Sequence, residues 1–462
     1  MTTLATPRAG DRTARGSAAL ALPAAATLLA LMNYTAPLAT LVDTSKGVHA
    51  GATAQIWVMS SISLGLAAAL LAVGALADDH GRKKVFVIGA VALVVSSLAC
   101  GAAPNAPVFV LGRVVQGAAS AALLATGLGI IGHAFPDAAA RARGTGIWGA
   151  MLGLGIALGP IASAFLTAVG GWRLWFWTAA AASVPLALAA ARALPESRAE
   201  HRRGLDLPGL LTLALGVSAL LAAITLGRTG WGRPEVLGLF AAAAVLLAVF
   251  VTVEARRREP LLDLALFRRP GFQLSIVGAF TTGVAVIGVM SYLVTVMDVA
   301  LGMTAFTASV VLAIWSGLSF VAALQARRLP ARLSAGRLLG VGLLLSAVGE
   351  LALLGLAPGN HWWRLVPGLV IAGVGSGLAN AMLARVAVES VPSDRASMGS
   401  GANNTARYTG ASLGVAMVGA IATGTSAGQS DAAHVLTHGT NIALVVSAVL
   451  AAAGAAFAFL RD

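Results

Sequence analysis

The chain has 462 residues, 58% of them hydrophobic and only 11% charged, with a formal net charge of +13. A soluble domain carries about 25% charged residues, so a water-facing surface of this size is excluded and the composition reads as a polytopic membrane protein. The basic excess does not point to nucleic acid, because Lys and Arg fall in short clusters between apolar runs, as they do in membrane loops.

Arg8, Arg12 and Arg15 precede an apolar run too long for the core of a signal peptide, so this region reads as an uncleaved first span. Stretches long enough to cross as helices lie at 18–41, 53–77, 85–103, 108–133, 145–169, 172–193, 208–228, 235–255, 272–298, 305–325, 337–357, 362–388, 397–425 and 440–460. Across these fourteen spans, 23 of the 31 Lys and Arg fall on the side of the N terminus, five on the other side and three within spans. That bias places both termini in the cytoplasm. Trp57, Trp172, Trp175, Trp177, Trp231, Trp362 and Trp363 fall at the opposite helix ends, where an interfacial aromatic belt is expected. Charged linkers at 195–206 and 254–269 divide the chain into a six-helix bundle (1–194), a connecting segment (195–270) holding spans 7 and 8, and a second six-helix bundle (271–462). The predicted class is an all-α polytopic membrane protein with six, two and six spans. The single cysteine, Cys100, excludes an internal disulfide and any CxxC motif.

In span 1, Asn33 and Tyr34 precede Pro37, which kinks the helix and frees a carbonyl. The turn from Gly74 to Lys84 (GALADDHGRKK) is too charged for hydrocarbon and marks a tight aqueous loop. Gly74 permits close helix approach, Asp78 is a fixed acceptor and Gly81 permits the turn. In span 4, Arg113 and Gln116 stand among apolar residues; Arg113 either meets a partner in a wet cavity or snorkels to the surface. Span 5 carries a small-residue face, Gly149, Gly153, Gly155 and Gly159, ending at the helix breaker Pro160. Asp298, near the end of span 9, is either a coupling acid or an outer-loop anchor. Glu350 in span 11 is either a coupling acid or a packed, hydrogen-bonded side chain. Span 13 holds Asn403, Asn404 and Arg407, which demand partners. Between spans 10 and 11, 329–337 is a degraded echo of the charged turn, with Ala331 and Ser334 where Asp and Gly would stand.

The turn at 74–84, the L-x-x-R-x-x-Q-G run holding Arg113, the G-x-x-x-G-P run from Gly155 to Pro160 and the polar span 13 together resemble the major facilitator superfamily. Within it they look like the fourteen-span drug:proton antiporters, as do Gly171 to Phe176 and Pro260 to Phe267. The resemblance implies two bundles rocking about a central cavity and export of a small, partly hydrophobic compound driven by inward proton flow. It implies spans 1, 4, 9 and 12 as cavity walls, with Asn33, Tyr34, Arg113, Gln116, Asp298, Asn380 and Arg407 as lining or coupling residues. Asp78, Gly81 and Arg82 would form the inner gate, and Gly155, Gly159 and Pro160 would set the bend of span 5. Two departures stand out: Ser163-Ala164 replaces the usual Gly-Gly, and Asn33 occupies the place of a span 1 acid. Coupling then uses another acid, or the compounds moved are neutral or anionic, or transport is not proton-driven. No enzyme activity, cofactor or metal is expected; the proton gradient is the energy source. The expected partners are a small-molecule substrate, protons and the lipid bilayer, with no nucleic acid, and the chain is expected to act as a monomer. The rival readings are a dedicated exporter of one endogenous metabolite, an uncoupled facilitator, or a membrane receptor or scaffold, which would require large soluble loops.

Overall fold

The computed structural model describes residues 9–200, 206–326, 328–329, 333–424 and 432–462. The fold is 87% helix, and no strand occurs among the described residues. Span 1 is split into α1 (Ala9–Thr35) and α2 (Pro37–Gly47) at Ala36, where Pro37 cannot donate the next helical hydrogen bond. Between α3 (Ala52–His80) and α4 (Arg82–Ala102), Gly81 adopts φ +115°, a conformation open to glycine alone without strain. Short polar side chains start the next two helices by accepting orphan N–H groups. Asn105 accepts from Val108 at 3.1 Å ahead of α5 (Ala106–Ala134), and Asp137 accepts from Ala140 at 2.7 Å ahead of α6 (Ala138–Gly170). The chain continues through α7 (Arg173–Ala193), α8 (Leu207–Gly227) and α9 (Pro234–Arg256). Span 9 is composite: α10 (Pro270–Thr281), a π-helical segment Thr282–Ile287, and α11 (Gly288–Leu301). It is followed by α12 (Ala305–Ala326), α13 (Ala335–Ala352), α14 (Val366–Glu389), α15 (Ala396–Gly424) and α16 (Ala432–Leu460).

Among the described residues thirteen helices are long and apolar enough to cross a membrane. The remaining long helix, α15, spans 29 residues but carries Ser397, Ser400, Asn403, Asn404 and Arg407 in its first half. Helices α1 to α7 pack among themselves and α10 to α16 do the same; the two sets meet where α3 crosses α15 and α6 crosses α12. The pair α8–α9 leans on α3 and α15 through α8. Glycines permit these contacts: a Cβ on Gly65 would run into the Val114 carbonyl of α5, and one on Gly117 into the Ile62 carbonyl of α3.

Helix α6 runs on past Pro160 to Gly170. Two expectations change. Trp172 and Trp175 are buried rather than set in a lipid-facing belt; Trp172 packs edge-on against Phe109 and Phe176. Ser163 is more than a small residue: its hydroxyl donates to the Ala36 carbonyl at 2.8 Å, at the break in span 1. Arg8, Arg202, Arg203, Arg327 and Pro330 to Arg332, which includes the centre of the echo loop, lie outside the described residues.

Candidate functional site

A cavity of about 520 Å³ lies between the two helix sets. Its wall includes Tyr34 of α1, Asp43 of α2, Ser63 of α3, Arg228 just beyond α8, and Tyr292 and Asp298 of α11. Ser63 precedes Asp78 on the same helix by four turns, so the cavity wall and the charged turn lie more than about 20 Å apart along α3. Below the cavity, Tyr34 and Tyr408 meet across the two sets with ring centroids 5.4 Å apart. Beneath them a chamber of about 20 Å³ is lined by Trp315, Ser319, Asn380 and Arg407 among others. Arg407 Nη1 donates to Asn380 Oδ1 at 2.9 Å, Asn380 Nδ2 to Ser319 Oγ at 3.3 Å, and Trp315 Nε1 to Ser376 Oγ at 2.9 Å. The π-helical segment brings Thr282, Val286 and Ile287 to this chamber, while Gly283 and Gly288 let it press on the backbone of α15 between Arg407 and Gly414. Such segments add a residue to one turn and are frequent at functional sites.

At the opposite end the two sets are bonded together. Asp78 accepts from Arg82 Nε at 2.8 Å and pairs with Arg82 Nη2 at 2.7 Å. Asp78 also accepts from the backbone N–H groups of Ser397 at 3.2 Å and Met398 at 2.8 Å, at the start of α15. Arg82 crosses as well, donating to the Asp394 carbonyl at 2.8 Å and to Ser397 Oγ at 3.2 Å. Asp79 pairs with Arg395 at 2.7 Å. Glu196 braces the turn by accepting from the N–H groups of Lys83 and Lys84 at 3.0 and 3.2 Å, which the start of α4 would otherwise leave unmet. A Cβ on Gly81 would strike the Glu196 carboxylate at 2.8 Å, so this position needs glycine for space as well as for φ.

An interfacial cavity sealed at one end by bonds between two helical halves is the layout of a carrier, and comparison with known proteins agrees. Residues 24–415 match the family model described as Major Facilitator Superfamily. The chain belongs to the major facilitator superfamily. It is therefore a multi-pass membrane transporter of small molecules and not an enzyme. It is 30% identical over 382 residues to "Multidrug resistance protein Stp" of Mycobacterium tuberculosis, covering 82% of this chain and 71% of that one. It is also 30% identical over 444 residues to "Puromycin resistance protein pur8" of Streptomyces alboniger, covering 94% and 86%. The solved proton:xylose symporter XylE shares the fold with a TM-score of 0.71 at 14% identity, over 97% of this chain and 96% of that one.

Within this transporter the seven residues singled out from sequence separate into three places. Tyr34 and Asp298 line the large cavity, and Asn380 and Arg407 line the small chamber together with Tyr34. Asn33, Arg113 and Gln116 line neither. They form a fully buried cluster joining α1, α4 and α5. Arg113 Nη1 donates to the Asn33 carbonyl at 2.9 Å and to Gln116 Oε1 at 2.6 Å. Gln116 Nε2 donates to Asn33 Oδ1 at 3.3 Å and Ser97 Oγ at 2.8 Å. The Asn33 carbonyl is available because its helical donor would be the N–H of residue 37, which is proline. Arg113 therefore reaches the broken span rather than the surface. Gly155 and Gly159 lie against Leu31, Met32 and Thr35 of α1, so the small-residue face of α6 holds the same broken span. Arg228, Asp43 and Tyr292 were missed as cavity residues. Arg228 reads as an outer-loop cation from position alone, and only the packing of α8 against α3 and α15 turns it inward.

Pro37→Ala is expected to slow transport about tenfold, because the new N–H competes with Arg113 for the Asn33 carbonyl and a charge-assisted bond is worth roughly 1.5–3 kcal/mol. Initial rates in vesicles check this, and an unchanged rate would remove the break in span 1 from the mechanism.

Proposed function

We propose that this transporter exports small, partly hydrophobic compounds by proton antiport, through alternating access of two six-helix bundles at 1–194 and 271–462. The membrane arrangement is fourteen spans, with polar α15 crossing inside its bundle, both termini and the 74–84 turn in the cytoplasm, and the chain a monomer. The observation carrying the reading is the pairing of a cavity on one side with interbundle bonds on the other, an outward-facing, inner-closed state. The printed names of the relatives, a multidrug resistance protein and a puromycin resistance protein, support export of drug-like compounds. Of the two candidate acids, Asp298 lies in the cavity wall and is exposed to it. Glu350 is buried in α13, lines neither cavity, and neither carboxylate oxygen has a hydrogen-bond partner among the described residues. Of these two, Asp298 is the acid placed to couple.

The test uses purified protein in liposomes holding a pH-sensitive dye, an imposed proton gradient and a panel of cationic, neutral and anionic compounds. Compound-dependent proton movement is expected in the wild type. In Asp298→Asn it should fall at least about tenfold while Glu350→Gln retains it, tenfold being the smaller end of what removing one proton-transfer group produces. Compound movement without proton movement would remove antiport and keep the transporter.

A further inference from the structure

The chamber beneath Tyr34 and Tyr408 holds a guanidinium with nothing negative beside it. Arg407 is 2% exposed, and beyond its bond to Asn380 its Nε and Nη2 have no hydrogen-bond partner among the described residues. No Asp or Glu lines the chamber. A buried cation met by one neutral acceptor is costly, and intramembrane ionisable groups of this kind mark substrate or ion paths. The unmet atoms are informative: Nε and Nη2 form one edge of the guanidinium, the fork that matches both oxygens of a carboxylate. Tyr34, Tyr408 and Trp315, whose rings suit an aromatic body, line the same chamber, as do Ser316 and Ser319, which supply hydroxyls. Acids do reach the larger cavity, but towards its mouth: Asp298 lies about 16 Å along α11 from Ile287, which borders both spaces. The larger cavity thus holds Asp43, Asp298 and Arg228 together, whereas the chamber holds Arg407 without an acid. Arg113 leaves the same edge unmet, yet it lines neither space and faces the Phe176 ring at 5.9 Å.

We propose that Arg407 is the floor of an anion subsite that takes the carboxylate of an aromatic substrate by a side-on, two-bond contact. The proposal rests on the export reading and names the substrate class for which that cavity is built. The chamber walls come from both helix sets, with Leu31, Tyr34 and Gly153 on one side and Thr282, Trp315 and Arg407 on the other. At about 20 Å³ it has room for a single water in this conformation. It widens when the sets part on the side of the charged turn, admits the anion there, and expels it on closing to the state seen here.

Binding to the purified full chain, read as ligand-induced rise in melting temperature, tests the subsite without turnover. Loss of flux in liposomes and loss of anion preference are then separate results. The probes are naphthalene-2-carboxylate, naphthalene-2-carboxamide and 2-naphthylmethylammonium. The wild type should bind the carboxylate at least about tenfold more tightly than the amide, with the ammonium weakest, as expected for a charge-assisted bidentate contact. Arg407→Gln should bring the carboxylate down to the amide while amide affinity stays, and Arg233→Gln, at a cation that lines neither space, should keep the preference. Should Arg407→Gln fail to fold, Asn380→Asp, which sets an acid against the same guanidinium, must erase the preference in its place. Equal binding of carboxylate and amide by the wild type overturns the proposal. So does a preference that survives Arg407→Gln or Asn380→Asp, or one that Arg233→Gln abolishes.

Discussion

Asp78→Asn is expected to reduce transport by on the order of a hundredfold while folded protein still reaches the membrane. The Asp78 carboxylate holds Arg82 within its own helix set and accepts the Ser397 and Met398 N–H groups from the other. Asp78 and Arg82 are both 0% exposed, so an amide at position 78 strands a buried guanidinium and turns two donors towards groups that themselves donate. Removing one partner of a buried pair costs about 3–5 kcal/mol. On the alternating-access reading the contacts with Ser397 and Met398 belong to the closed state, so their share of that cost falls on it. A few kcal/mol moves a two-state equilibrium by two to three powers of ten, roughly, leaving a transporter that opens inward and rarely resets. Two measurements check this: flux in liposomes, and thiol labelling of Ser400→Cys. Ser400 is buried at the α5–α15 contact, where its hydroxyl reaches the Leu124 carbonyl, and the native Cys100 is buried. Labelling should be slow in the otherwise wild-type chain and fast beside Asp78→Asn. Wild-type flux together with slow labelling would sink the gate assignment.

What could be read from sequence depended on whether a residue's environment was set by its neighbours in the chain or by helix rotation. The charged turn is legible because hydrocarbon cannot hold Asp78, Asp79, Arg82, Lys83 and Lys84, whatever packs around them. Pro37 is legible because a missing N–H is a local fact, and the structure adds only which group takes the freed carbonyl. Facing is another matter. A soluble helix advertises its buried side by a polar opposite face, whereas a helix that is apolar all round does not. Asn33 and Tyr34 are adjacent, yet one turns into the Arg113 cluster and the other into the cavity. Arg407 and Arg113 look alike in sequence, single cations in apolar helices, and only one lines a chamber. The π-helical segment at 282–287 has no signature of its own, because its extra residue follows from how Gly283 and Gly288 meet α15. Sequence position gives Arg228 only a side of the membrane, which says nothing about whether it points outward or into the space between the bundles.

Gly74→Val is expected to slow transport roughly 5- to 150-fold with little loss of folded protein, because its Cβ would run into the Ser397 carbonyl across the two helix sets. Overpacking of this kind costs about 1–3 kcal/mol, and here the cost is paid only when α3 and α15 close. Gly65→Val lies on the same helix, but its Cβ would meet the Val114 carbonyl of α5 within one set. On the alternating-access reading that contact is kept throughout the cycle, so folding suffers and the yield of monodisperse protein should fall. Gly238→Val in α9 meets nothing within 4 Å and should leave both unchanged. Labelling of Ser400→Cys should rise with Gly74→Val and stay low with Gly238→Val. If Gly74→Val lost protein as Gly65→Val does, the α3–α15 crossing would be part of the permanent core. If it left transport and labelling untouched, the two sets would not need to close there at all. The expected pattern, flux lost and fold kept, is the one that a crossing made and unmade in every transport cycle produces.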